Sequence, residues 1–429
     1  MQYLNEALAV APQRADILIN LGLVLTEMGK LEEAETTLIK AVSINPQDPD
    51  GYCNLGNCLR LRQRPIEALQ QYKKALALAP NDPDIHLNIG VVLRDLLYLD
   101  EAISHYRRAI ELKADHAETH FNLALALLMK GQYKEGWQEY QWRWKTRDFI
   151  GLTPINQNRW DGRAKGIRLL LRAEQGLGDT IQFVRYAKTL SQWDIRVILQ
   201  CQGGLVRLLE GQCNIKKVIH YDEPYTDFDY QYMLLDLPLL LQTDTTSIPS
   251  EIPYISAKAP DVTKWEPIFN SHCTKKDRRV GLVWRGSKTN LRGRYRSMCI
   301  SDIEALLSIK DIKFFHIGKE DLSAEIQQLP SDLRPIDLSG QIGDFSDTAA
   351  IIHHLDLVIT IDTAVAHLAG AMGKPVWLML HYSSDWRWLI GISHSPWYPT
   401  MTIFRQNEFG NWQSVINEIV RCLRGHTIR

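Results

Sequence analysis

Apolar and small residues recur through the first 145 positions at a spacing of 34. Leu21-Gly22, Leu55-Gly56, Ile89-Gly90 and Leu123-Ala124 share one register, and Ala34, Ala68, Ala102 and Gly136 a second. A bulky row (Leu38, Tyr72, Tyr106, Tyr140) and a small row (Ala41, Ala75, Ala109) complete the pattern, with Pro46 and Pro80 closing two units. Small residues at fixed helical offsets let antiparallel helices approach closely, while the bulky row fills the gap to the next pair. One unit cannot bury its apolar face alone, so the pattern predicts a stacked helical array. From Ile167 the period changes. The short apolar runs IRLLLRA (167–173), RVILQ, KVIHYD and YQYMLLD surround a helical stretch at 180–193, and PYISA closes this half near 257. RVGLVW (279–284), KFFHIG (313–318), LVITID (357–362) and PVWLML (375–380) follow, then a helix around Trp412–Leu423. Such alternation predicts two parallel sheets covered by helices, with polar residues 258–278 as the linker between them.

The rows of the first part resemble the tetratricopeptide repeat over residues 15–145. Ala7 and Pro12 occupy the register of a preceding repeat whose first helix is missing, which favours a fragment of a longer array over a solitary cap. Asn20, Asn54, Asn88 and Asn122 fall at one helical position per repeat. Stacking would align them as a ladder on the concave face. An amide both donates and accepts, so such a ladder can hold an extended peptide backbone without reading its sequence. It resembles the peptide-holding surface of the O-linked N-acetylglucosamine transferases, although asparagine is also common there in repeats that bind no peptide. GWQEYQWRWKTRDF (136–149) is expected to cap the array, with Trp137, Trp142 and Trp144 sealing it against the next domain.

Composition adds little except a boundary. All 12 tryptophans lie between Trp137 and Trp412, which separates a first domain at 1–148 from lobes at 149–265 and 266–429. The formal net charge of −1 gives no overall attraction to nucleic acid or to an anionic membrane. No apolar run approaches the length of a spanning helix, and a cytoplasmic location is expected. The seven cysteines contain no C-x-x-C and are expected to be reduced and structural. His353-His354 points its neighbouring rings to different helix faces, so no metal site is expected.

The candidate chemistry lies in strand-to-helix turns. In LVITIDTAVAHLAGAMGKPVW (357–377) a buried strand ends at Asp362 and a helix starts at Thr363, presenting free N–H groups suited to a diphosphate. Thr363 adds a hydroxyl, Ala364 lies at the helix start, and His367 follows one turn on; alternatively Asp362 caps the helix and His367 packs in the core. EQGLGDT (174–180) has Gly176 and Gly178 in a second such turn. There Asp179 could accept a proton from an attacking hydroxyl or merely cap its helix. VWRGSKTNLRGRYRSM (283–298) places Arg285, Lys288, Arg292, Arg294 and Arg296 after a buried strand, a set suited to phosphate oxygens or to plain solvation. Glu320, after another strand, can accept from ribose hydroxyls. In DWRWLIGISHSPWYP (385–399), Trp386, Trp388, Trp397 and Tyr398 either stack on sugar, with Asp385 and Arg387 taking hydroxyls, or pack the loop.

These turns, in this order over residues 165–425, resemble the heptosyltransferases of glycosyltransferase family 9, and more closely their fusions to tetratricopeptide repeats. The resemblance implies two facing Rossmann-like lobes in the GT-B arrangement, with the final helix packing back on the first lobe. The overall class is then α + α/β, a repeat solenoid followed by a two-lobed GT-B domain. It also implies Asp179 as catalytic base, Arg296 near the donor phosphates and Glu320 at the ribose. Asp362, Thr363 and His367 match the family's D-[ST]-G-x-x-H phosphate loop. Gly178, Lys288, Arg294 and Ala364 join the donor site, and Asn20, Asn54, Asn88 and Asn122 hold the acceptor. The departures are Ala364 for the expected glycine, arginine for the usual lysine, and the repeats themselves. The expected reaction is inverting, metal-independent transfer from a nucleoside diphosphate sugar, with no separate cofactor, to a protein or peptide held by the repeats. The rivals are a glycan or lipid-linked saccharide acceptor, and a repeat scaffold with an inactive GT-B domain.

Overall fold

The computed structural model describes residues 2–149, 157–286 and 296–425. The chain divides into two compact units, Met1–Leu152 and Thr153–Arg429.

In the first unit, α1 (Gln2–Val10) precedes four helical hairpins: α2 (Ala15–Glu27) with α3 (Leu31–Ile44), α4 (Pro49–Leu61) with α5 (Pro65–Leu78), α6 (Pro83–Asp95) with α7 (Leu99–Leu112), and α8 (Ala117–Met129) with α9 (Tyr133–Tyr140). Pro49, Pro65 and Pro83 sit in the first turn, where proline's missing N–H is no loss, and Asp48 and Asp82 accept backbone N–H groups at the helix starts. The first helix of each hairpin ends on a left-handed residue in a 34-residue register: Gly29, Gln63, Leu97 and Gly131, with φ of 74°, 60°, 64° and 79°. The next residue's N–H then reaches back five positions, as in Arg64 N to Leu59 O at 3.0 Å, so each turn closes in the same way.

The small and bulky rows meet as the sequence predicts. A Cβ on Gly22 would lie 2.4 Å from Leu38 Cγ; on Gly56, 2.6 Å from Tyr72 Cε1; on Gly90, 2.5 Å from Tyr106 Cε1. Ala34, Ala68 and Ala102 are fully buried. The tryptophans in and after α9 pack within this unit: Trp137 against Tyr133 and Tyr140, Trp142 stacked on His120 at 3.9 Å, and Trp144 against Phe149.

The second unit contains two all-parallel sheets. In the first lobe β1 (Arg168–Arg172), β2 (Arg196–Cys201), β3 (Lys217–His220) and β4 (Tyr230–Met233) lie in the order β3-β2-β1-β4. In the second lobe β5 (Arg278–Val283), β6 (Ile312–His316), β7 (Ile336–Asp337), β8 (Leu357–Ile361), β9 (Val376–Leu380) and β10 (Met401–Arg405) lie in the order β10-β9-β8-β5-β6-β7. The strand order reverses between β5 and β8, and a crevice opens beyond the carboxyl ends of strands at such a switch point.

Four expectations are corrected. The 258–278 linker is largely a helix, Ala259–His272, with Pro267 inside it. The stretch 180–193 belongs to two short helices, α10 (Leu177–Phe183) and α11 (Tyr186–Ser191). PYISA forms no strand; instead the Tyr254 N–H bonds the Ala371 carbonyl at 3.0 Å. The final helix, Trp412–Gly425, packs against β10 and residues 300–307 of its own lobe, burying Val415, Ile416, Ile419 and Leu423, rather than returning to the first lobe. Among the described residues no helix is long and apolar enough to cross a membrane.

Candidate functional site

β1 leads through Gly176 into α10, and β8 leads through Asp362 and Thr363 into the Ala364–Ala371 helix. These two helices pack on each other across the lobes. They approach closely at Gly178, whose missing side chain leaves room for His367: a Cβ there would lie 2.8 Å from His367 Cδ2 and 3.5 Å from Ala364 Cα. Any larger residue would drive the two helix starts apart. The turns at 174–180 and 362–367 thus face one another directly.

Asp179 lies in the first turn of α10. Its Oδ2 accepts the Gly176 N–H at 2.8 Å, and its Oδ1 accepts from the Arg387 guanidinium. Burial pushes its carboxyl pKa up, and the Arg387 charge is the largest opposing influence. Asp362 is buried at the end of β8. Burial, helped by the nearby Asp385 carboxylate, raises its pKa to about 6, against the pull of Arg296, whose Nη1 stands 4.0 Å from Asp362 Oδ2. Arg296 Nε is buried and has no hydrogen-bond partner among the described residues, which leaves a donor beside the helix start.

His367 is packed between the lobes. Its Nδ1 shares a hydrogen bond with the Tyr398 hydroxyl at 2.9 Å, and its ring stacks on Trp388 at 5.2 Å. Burial first, then the Arg387 charge, lowers its pKa to about 3, so the imidazole is neutral at ordinary pH. Thr363 begins the helix with no side-chain cap; its hydroxyl lies 3.3 Å from that of Thr360. The first N–H groups after it, at Ala364 and Val365, have no carbonyl within their own helix to bond.

Of the basic loop, Lys288, Arg292 and Arg294 lie outside the described residues, while Arg285 pairs with Glu325 at 2.7 Å. Glu320 is half-buried on the exit from β6, next to β5 in the sheet. Trp386, Trp388, Trp397 and Tyr398 are buried, so these rings pack the loop and offer no open face to a sugar. Arg387, available for sugar hydroxyls in one of the two sequence readings of this loop, joins Asp179, Gln182 and Asp385. Only its Asp-x-Arg spacing to Asp385 was visible beforehand. Arg185 was missed altogether. It is fully buried and binds the carbonyls of Gln182, Pro249 and Trp397 and the Tyr254 hydroxyl, tying α10 to the 397–398 loop.

In the first unit, the four asparagines recur on equivalent positions of α2, α4, α6 and α8. Asn20 is exposed, and Asn54, Asn88 and Asn122 are half-buried. Asn122 accepts from Arg94 Nη1 at 2.8 Å and donates to the Glu118 carbonyl at 2.8 Å, so the last rung is braced by the preceding repeat.

Comparison with known proteins agrees with both halves. Tetratricopeptide-repeat family models match residues 13–81 and 99–131, and the model described as glycosyltransferase family 9 (heptosyltransferase) matches residues 309–414. Protein FlbA of Caulobacter vibrioides is 25% identical over 334 residues, covering 70% of this chain and 54% of FlbA. The chain therefore spans about half of that relative's length. Similar solved structures include YrrB, described as a TPR protein with an unusual peptide-binding site, at 23% identity and a TM-score of 0.30 over 34% of this chain and 75% of that one. Another is TTC0263, a TPR protein of Thermus thermophilus, at 24% identity and a TM-score of 0.32 over 34% of this chain and 80% of its own. The matches thus place repeat similarity in the first unit and similarity to glycosyltransferase family 9 over residues 309–414 of the second.

Proposed function

We propose that the chain is a cytoplasmic, GT-B-type glycosyltransferase that moves a sugar from a nucleoside diphosphate sugar to a hydroxyl of a protein or peptide held by the repeats. One observation carries the reading: the Gly178–His367 contact brings the Asp179 turn against the Thr363 helix start. A base and an anion-binding helix end then share one crevice at a sheet's switch point.

In this reading Asp179 takes the proton of the acceptor hydroxyl as its oxygen bonds the anomeric carbon from the face opposite the diphosphate. The bond from that carbon to the diphosphate oxygen breaks, giving inversion. Negative charge developing on the leaving group meets Arg296 and the Ala364 and Val365 N–H groups, which serve in place of a metal. Glu320 accepts from the ribose hydroxyls. Asn20, Asn54, Asn88 and Asn122 hold the acceptor backbone.

The test is nucleoside diphosphate release from ADP-, GDP- and UDP-linked sugars, with and without cell extract as acceptor source. Asp179→Asn is expected to lose release from whichever donor the wild type uses; equal release by both proteins removes the assignment. Asn54→Ala with Asn88→Ala is expected to raise the KM of a peptide acceptor and leave donor KM alone. An unchanged acceptor KM takes the ladder out of the reading.

A further inference from the structure

Arg387 reaches from the loop after β9 to α10 of the other lobe. Nη2 donates to Asp179 Oδ1, Nε to Gln182 Oε1 at 2.7 Å, and Nη1 back to Asp385 Oδ1 at 2.8 Å. Its guanidinium lies 4.4 Å from the Trp386 ring centre and 5.8 Å from that of Phe183, and its side chain is 8% exposed. A planar fork bound along three edges has little freedom to swing.

The loop that carries it is also held firmly. Asp385 accepts the Arg387 backbone N–H at 3.0 Å. Leu389, two residues on, sits at φ 45° and ψ −177°, a conformation L-residues rarely adopt, and Arg405 Nη2 grips its carbonyl at 2.6 Å. Such strain persists only where the surroundings over-determine the backbone. On the other side, Gly176 N–H fixes the second oxygen of Asp179. Each carboxylate oxygen keeps a further lone pair for a substrate proton.

We propose that Arg387 is a positioning residue for sugar transfer: from the second lobe its guanidinium orients the Asp179 carboxylate and faces it with a positive charge, so that the base is competent only when the lobes are in contact. The proposal rests on the reading of Asp179 as the base.

The surrounding charges leave this task to Arg387. Burial and the Asp385 carboxylate both favour the protonated acid, while Arg387 and the Gly176 N–H oppose them. His367, against Gly178 on the facing helix, is neutral. Within the first lobe, Glu174 accepts the Leu235 N–H at 3.3 Å, and Asp236, on the turn that packs against α10, pairs with Arg159 at 3.7 Å. Removing Arg387 therefore leaves Asp179 facing burial and a like charge.

The experiment uses the full chain labelled with 13C at aspartate carboxyls, the Asp179 signal being assigned by its loss in Asp179→Asn. In Arg387→Gln the Asp179 titration midpoint is expected to move to higher pH, and in Arg387→Lys to move less. With the donor giving the strongest wild-type release, Arg387→Gln is expected to lower kcat about tenfold or more at neutral pH, recover at alkaline pH and leave donor KM within about twofold. Arg387→Lys restores part of kcat. An unmoved midpoint in Arg387→Gln, or in Arg387→Lys should the glutamine variant not fold, overturns the proposal, as does an activity loss equal at every pH. Full activity in Asp179→Asn would sink the base reading instead, while the titration still judges whether Arg387 controls the carboxyl.

Discussion

Gly178 of the first lobe stands against His367 of the second, with space between them for a hydrogen but not for a methyl group. The imidazole cannot retreat, since Tyr398 holds its Nδ1 and Trp388 covers its face. Gly178→Ala is expected to cost about 1–3 kcal/mol through overpacking and to part the two helix starts. Calorimetry would show the α/β unit melting several degrees lower, and nucleoside diphosphate release would fall tenfold or more. An unchanged Tm would mean that the helices do not approach this closely.

Asp362 gives a pH dependence of defined sign. Its folded carboxyl titrates at about 6, whereas in an unfolded chain an aspartate titrates near ~4. The folded state thus holds the proton more tightly. The resulting stability is fully present below ~4 and is lost as pH rises through about 6. Asp362→Asn, which cannot ionise, should gain in Tm relative to wild type between pH 4 and pH 6 and keep that gain above it. A Tm difference that is flat over this range would contradict the raised pKa.

The turns of the repeats offer a stabilising substitution. Gln63 is exposed and adopts φ 60°, where Gly29 and Gly131 stand in the equivalent turns. A side chain in this left-handed region costs ~1–2 kcal/mol, and glycine's extra unfolded-state entropy returns ~0.5–1 kcal/mol of that. Gln63→Gly should therefore raise the stability of the repeat unit by a few tenths to about 1 kcal/mol, read from urea midpoints. A lower midpoint would refute the account of these turns.

Two tyrosines of one row should respond differently to loss of the hydroxyl. Tyr72 donates to Asn57 Oδ1 at 2.7 Å, whereas the buried Tyr106 hydroxyl has no hydrogen-bond partner among the described residues. Tyr72→Phe is expected to destabilise by about 1 kcal/mol, and Tyr106→Phe to be neutral or stabilising. Equal losses in both variants would show that the Tyr106 hydroxyl is satisfied.

The repeat unit was legible because its register is covalent. A 34-residue period names which glycine meets which leucine or tyrosine, and the contacts at Gly22, Gly56 and Gly90 follow it. The turns at Asp179 and Asp362 were legible because a buried strand running into a small-residue helix has few other geometries. The short strands β7 and β10 were missed, and the Ala259–His272 helix was read as a linker because its polar residues and Pro267 hid its two buried aromatics, Trp265 and Phe269. Arg387 could not be matched to Asp179 at all, since 208 positions separate them.

By itself, the order of residues determined the stacked array, the two parallel sheets and the strand-to-helix turns, because periodicity and local backbone preference act over short stretches of chain. Tertiary structure alone decided that Gly178 receives His367, that Arg387 crosses to Asp179, that the aromatic loop is buried and that the last helix stays with its own sheet. These depend on which surfaces exclude water together, and on how charges drawn from both lobes share one buried crevice.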